Sequence, residues 1–111
     1  MNKLELELLT YAAKAAGLAL DRYYEGRQGE FADGLICKGC PTWNPLKDDA
    51  QCLQLARKLG INLDYTSDKC AWKRVRDEMY QEYFDQDGWH ATDREAVVTV
   101  AARMGGWVEA L

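Results

Sequence analysis

The chain predicts an α+β fold: three helices packed on a small, mainly antiparallel sheet in the order α-β-β-α-β-β-α. Three observations point there. Two segments, 48–60 and 92–106, carry the residues that start and stop a helix, around apolar positions at helical spacing. Short apolar–polar alternations bounded by turns, such as Ile61-Asn62-Leu63-Asp64-Tyr65, read as half-buried strands. The length of 111 residues suits one core without disulfide or metal staples, so residues 1–111 are read as a single globular domain.

Residues 2–16 form the first expected helix, with Leu4, Leu8, Ala12, Ala15 and Ala16 near one face and Glu5, Glu7 and Lys14 largely off it. Gly17 suits the stop. Leu18 to Tyr24 loses the helical spacing and reads as a strand, with a helix continuing to Tyr23 as the alternative. Glu25 to Gly29 is turn-rich, and Phe31 to Cys37 returns as a second strand, bent or turned at Asp33-Gly34. Lys38 to Pro45 is expected to be loop. Pro45 then holds Asn44 extended. Asp48 is placed to cap the next helix, and Gln51 completes a capping-box spacing. Its apolar face is read as Ala50, Leu53, Ala56 and Leu59 with Cys52 and Leu55 beside them; Arg57 and Lys58 favour its negative end and Gly60 its termination.

Ile61 to Tyr65 is a strand and Thr66 to Lys69 a turn. Trp72 to Phe84 fits two patterns: a helix aligning Val75, Met79, Tyr80, Tyr83 and Phe84, which local propensity favours, or a strand with Val75, Met79 and Tyr83 on one face. Gln86-Asp87-Gly88 breaks the pattern. Thr92 and Glu95 form a second capping box, opening a helix that buries Ala96, Val97, Val100, Ala101 and Met104. Gly105-Gly106 ends it, and Trp107 and Val108 fold back over the core. Leu53, Ala56, Leu59, Val97, Val100 and Ala101 are expected to be buried together against the sheet.

Fourteen basic against 18 acidic residues leave a net charge of −4, which argues against general affinity for duplex DNA and leaves room for a basic partner surface. No apolar run approaches the ~20 residues of a membrane span. The N-terminus alternates Leu with Glu and has no signal-peptide pattern, so a cytoplasmic protein with four reduced cysteines is expected.

Several residues invite chemistry. Trp72 lies among Lys69, Lys73, Arg74 and Arg76, and guanidiniums beside an indole are the parts that grip phosphate and stack a base. Trp89, next to Gly88, is a further exposed-aromatic candidate. The following acids Asp77, Glu78, Glu82 and Asp85 suit a basic protein surface, or are simply a solvated face. Asp48, Asp49 and His90 are the oxygen and nitrogen donors a metal-dependent phosphohydrolase would use, although helix capping accounts for Asp48. Cys37 and Cys40 have zinc-knuckle spacing, with Cys70 and His90 as the remaining candidate ligands. Inert thiols are the simpler reading, and no cofactor is expected.

Trp43-Asn44-Pro45-Leu46-Lys47-Asp48-Asp49 through Gly60, preceded by Ala12-Ala13-Lys14-Ala15-Ala16-Gly17 and followed by Ala91-Thr92-Asp93-Arg94-Glu95-Ala96-Val97-Val98, resembles small tailed-phage and prophage proteins described as NinX-like or phage ABA-sandwich-domain proteins. The resemblance implies an α+β sandwich, strand rather than helix over 72–84, and a viral accessory role. It carries over no catalytic residues. The chain departs from the pattern at Cys37-Lys38-Gly39-Cys40 and over Lys69 to Phe84. The function expected is therefore non-catalytic binding of a host or anti-phage-defence component, either a nucleotide-like signal held by Trp72, Arg74 and Arg76 or a basic host surface covered by the acidic segment. The alternatives are the phosphohydrolase and a zinc-stabilised interaction module.

Overall fold

The computed structural model describes residues 2–19, 34–37, 40–85 and 90–109. Within them run α1 (Lys3–Ala15), β1 (Leu35–Cys37), β2 (Cys40–Trp43), α2 (Asp49–Leu59), β3 (Asn62–Asp64), β4 (Cys70–Val75), β5 (Glu78–Tyr83) and α3 (Asp93–Met104). This is the expected α+β class. The strands β3-β4-β5 make a three-stranded antiparallel sheet, and β1 pairs separately with β2. No helix among the described residues is long and apolar enough to cross a membrane. The strands expected at Leu18–Tyr24 and before Gly34 fall largely outside the described residues.

Side chains fix where each helix begins. Asn2, Asp48 and Thr92 accept from the backbone N–H of Glu5, Gln51 and Glu95 at 2.8, 3.0 and 3.2 Å. Gly17 and Gly60 lie just beyond α1 and α2, with φ of 71° and 69°. Gln51 does not complete its box. Its side-chain oxygen instead accepts from the Asn44 N–H at 2.6 Å, while Asn44 Oδ1 accepts from the Leu46 N–H at 3.0 Å. Arg94 closes the junction, donating from Nε to the Leu46 carbonyl at 2.9 Å and from Nη1 to Asp49 at 2.7 Å. The Trp43-Asn44-Pro45 turn is thus buried and ties the start of α2 to the start of α3.

Helix α3 is the centre of the molecule. Ala96 through Ala102 are all buried, so this helix is enclosed on every side, by α1, α2, β4 and β5. Its one buried hydroxyl, Thr99, donates to the Glu95 carbonyl at 2.8 Å. The small residues of α3 let α1 come close, bringing Leu8, Leu9, Ala12 and Ala13 into the core. At Gly105 the approach is so close that a Cβ would run into the Tyr11 carbonyl.

Four further expectations change. The buried face of α2 is Cys52, Leu55 and Ala56, with Leu59 partly covered; Leu53 is 47% exposed and Ala50 is exposed. Steps of three residues fall about 60° short of a turn each time, so the row 50-53-56-59 winds off the core, whereas 52-55-56-59 stays on it. On α1 the row Leu8-Ala12-Ala16 is buried with Leu9 and Ala13 beside it, while Leu4, at the helix start, is 53% exposed. Cys40–Trp43, expected as loop, pairs as a strand with Leu35–Cys37, and Pro41 is tolerated because each strand of a two-stranded sheet has a free edge. The third change is at 72–84. The segment is extended, but as the hairpin β4–β5, turning at Arg76-Asp77 between the paired residues Val75 and Glu78. Arg76 takes φ of 56°, so a left-handed turn is made without glycine or asparagine. The last change concerns the C-terminal fold-back: Trp107 packs on the core, and Val108 is 82% exposed.

Candidate functional site

Because side chains alternate across a strand, the register assigns each residue of β4 and β5 to a face. Ala71, Lys73, Tyr80 and Glu82 lie on the inner face, toward α3, with Leu63 of β3. Cys70, Trp72 and Arg74 lie on the outer face, opposite Tyr83, Gln81 and Met79. Trp72 and Arg74 therefore project together, as an extended segment requires. Trp72 is half-buried and Arg74 exposed, and Asn62 flanks Trp72 from β3. Arg76 stands beyond the strand, in the turn. Neither Arg74 nor Arg76 has an ion-pair partner among the described residues.

The rest of the basic cluster is used structurally. Lys69 pairs with Asp85 at 2.9 Å. Lys73 points inward, its Nζ 3.0 Å from where a Cβ on Gly60 would sit, against the negative end of α2. Trp89 lies outside the described residues. The acidic segment does not form one surface. Asp77 and Glu78 occupy the closed end of the hairpin and Asp85 the other, while Glu82 is buried on the inner face. Alternation turns Glu82 inward, and Glu78 is already bonded by the Tyr80 hydroxyl at 2.6 Å, which raises the Tyr80 pKa.

The candidate ligands Asp48, Asp49 and His90 are each engaged with other partners. Asp48 caps α2, Asp49 holds Arg94, and the two nitrogens of His90 face Glu82 Oε1 at 3.4 Å and Glu95 Oε2 at 3.8 Å. Cys70 sits on the outer face, accepting from Gln81 Nε2 at 3.3 Å, with the sheet between it and the Glu82–His90 pair. Cys37 and Cys40 are backbone register partners across β1 and β2, and their side chains lie outside the described part of the structure. Among the described residues no three His, Cys, Asp or Glu side chains cluster as a metal site would require. Burial first, then the negative charge of Asp93, pushes the Cys52 thiol up to about 11, which makes it a poor nucleophile at neutral pH. Burial and the bond its hydroxyl donates to Asp93 at 2.7 Å push Tyr65 up to about 12.

His90 stands where two clefts meet. The first, of about 360 Å³, lies between Leu4 and Leu8 of α1, Leu46, and Glu95 and Thr99 of α3. The second, of about 510 Å³, continues past Glu82 and Arg103 to Trp107 and Glu109. Arg103 Nη2 reaches Glu82 Oε1 at 3.4 Å. The only sequence signal is a carboxylate on the inward register of a hairpin, and it is readable only once the Arg76-Asp77 turn is known. No family model, curated protein or solved structure matches this chain.

Proposed function

We propose that this chain is a non-catalytic phage accessory protein that binds a host or anti-phage-defence component, and that the outer face of β4–β5 captures an anionic, base-containing ligand of nucleotide type. The observation that carries the binding part is the pairing of Trp72 with Arg74 on one face, the guanidinium having no partner among the described residues. An indole offers a stacking surface to any base, and an unpaired guanidinium offers two parallel donors to phosphate. Gln81 and Asn62 border the indole on neighbouring strands and supply amide groups for a base edge. Arg76 extends the positive charge past the end of the strand. The phage part rests on the resemblance over Trp43–Gly60 and its flanking blocks.

The test is a titration of mononucleotides, cyclic oligonucleotides and short single strands against the protein and its Arg74→Ala/Arg76→Ala variant. Binding by the first, at least tenfold weaker in the variant and weaker still at high salt, supports the reading. Equal binding by both proteins, or none by either, removes it.

A further inference from the structure

Glu82 is the only buried charged residue among those described, its side chain 9% exposed. Both of its partners, His90 Nε2 and Arg103 Nη2, meet the same oxygen, Oε1, each at 3.4 Å. These contacts are long beside the ~2.7–2.9 Å of a charge-assisted hydrogen bond. No hydrogen bond from a described residue reaches Oε2. A buried carboxylate satisfied on one side only is costly, and here it lines a cleft open to an incoming donor.

The charge of that cleft selects the donor. Glu7, Glu82 and Glu109 line it with Arg103, three carboxylates to one guanidinium. Its apolar part comes from Leu4, Leu8 and Trp107, and Leu4 and Val108 stand 53% and 82% exposed at its lips. The cleft also runs on. It shares Leu4, Leu8, His90 and Thr99 with the neighbour beneath Leu46, and Arg103, Trp107 and Glu109 with a third of about 540 Å³ along Glu78 to Tyr80 of β5. A groove of three contiguous clefts has the form of a site for an extended chain, not for a single small amine.

We infer that this groove binds an extended, basic segment of a partner protein, in which a Lys or Arg beside apolar residues donates to Glu82 Oε2. The aliphatic stem of that side chain lies on Leu4, Leu8 and Trp107, and Glu7 and Glu109 screen its charge at the rim. This surface is separate from the outer sheet face, since Glu82 and Trp72 are on opposite sides of the hairpin.

The probe is an end-blocked hexapeptide alternating Lys with Leu, titrated into the isotopically labelled full chain by calorimetry and amide NMR, with a Glu–Leu hexapeptide as counterpart. The Lys–Leu peptide is expected to bind, to shift the amides of Leu8, Thr99 and Arg103, and to lose at least tenfold in affinity with Glu82→Gln. Leu4→Lys, at an exposed position, should weaken it comparably with an unchanged melting temperature, which keeps the test decisive if Glu82→Gln fails to fold. Arg74→Ala/Arg76→Ala should leave peptide binding intact, so failure here and failure of the nucleotide site are distinguishable. The inference is overturned by absence of binding, by equal binding of the Glu–Leu peptide, by shifts confined elsewhere, or by affinity indifferent to both groove variants. A ligand-free dimer dissolved by Leu4→Lys also overturns it, by assigning the groove to a second copy.

Discussion

The two faces of the β4–β5 hairpin are built from alternate residues of the same two strands, and they are used in opposite ways. The inner face meets α3 with Ala71, fully buried, and with Tyr80 packed on the core. The outer face carries the bulkier Trp72 with Arg74, Met79 and Gln81. In the middle of β4 the small residue, Ala71, is inside and the bulky one, Trp72, is outside. The cause is α3: enclosed on all sides and lined with Ala and Val, it leaves little room for bulk beneath β4. Trp72, on the other face, is left half-buried and available to a ligand. The inner side should therefore govern stability and the outer side recognition.

The largest effects should come from the core around α3, to which the inner face belongs. Leu55→Ala, at a position 3% exposed, should cost about 2–5 kcal/mol, a large part of the ~5–15 kcal/mol of a domain this size. Leu53→Ala, two positions away but 47% exposed, should stay within about 0.5 kcal/mol. Denaturant midpoints of the two variants check the pair, and a reversed order would mean that the face of α2 is misassigned. Gly105→Ala should follow at about 3 kcal/mol, since the new Cβ meets the Tyr11 carbonyl and forces α1 from α3.

That pair of leucines also marks how far the sequence could be read. Helix ends were legible because caps are local: Asp48, Thr92, Gly17 and Gly60 act on backbone within a few residues. The buried face of α2 was less so, since the rows through Leu53 and Leu55 are both apolar and only tertiary contact chooses between them. The β4–β5 turn was hidden because Arg76 adopts a positive φ that no local residue announces. With the turn hidden, the inward register of Glu82 was hidden too, and with it the groove, whose walls come from α1, β5, α3 and the segment after it. The Trp72–Arg74 pair was legible because period-two spacing survives in any extended conformation.

A pH experiment gives an intermediate effect. The Cys52 thiol is raised from its ordinary 9.0 to about 11 in the folded protein, chiefly by burial. A pKa raised by folding means that the native state holds the proton more tightly. Stability from this group is thus fully present below pH 9.0 and lost as pH rises through about 11, on the order of 2–3 kcal/mol in all. Tyr65, raised from 10.0 to about 12, adds its own loss over that higher window. Chemical denaturation between pH 8 and 11 should show a steep decline in the wild type and a shallower one in Cys52→Ala. Tyr65→Phe should flatten only the upper part. Parallel slopes in Cys52→Ala and wild type would mean that the thiol ionises as freely folded as unfolded.

A small expected change in stability, at Arg76, is the most informative about the outer side. Arg76 holds φ of 56° in the hairpin turn, a conformation costing a non-glycine residue about 1–2 kcal/mol. Arg76→Gly removes that strain but adds freedom to the unfolded chain, worth about 0.5–1 kcal/mol in the opposite direction. The net result should be a stability equal to wild type or up to about 1 kcal/mol higher, read from the denaturant midpoint. Arg76→Ala keeps the strain and should be near neutral. Both substitutions remove the same charge, so they should weaken nucleotide binding equally if Arg76 acts through its guanidinium. If glycine alone weakens binding, the turn geometry that aims Arg74 and Trp72 is what matters, and Arg76 is there for its backbone. If both are stable and neither changes affinity, the site contracts to Trp72 and Arg74, the two residues that the strand itself brings to one face.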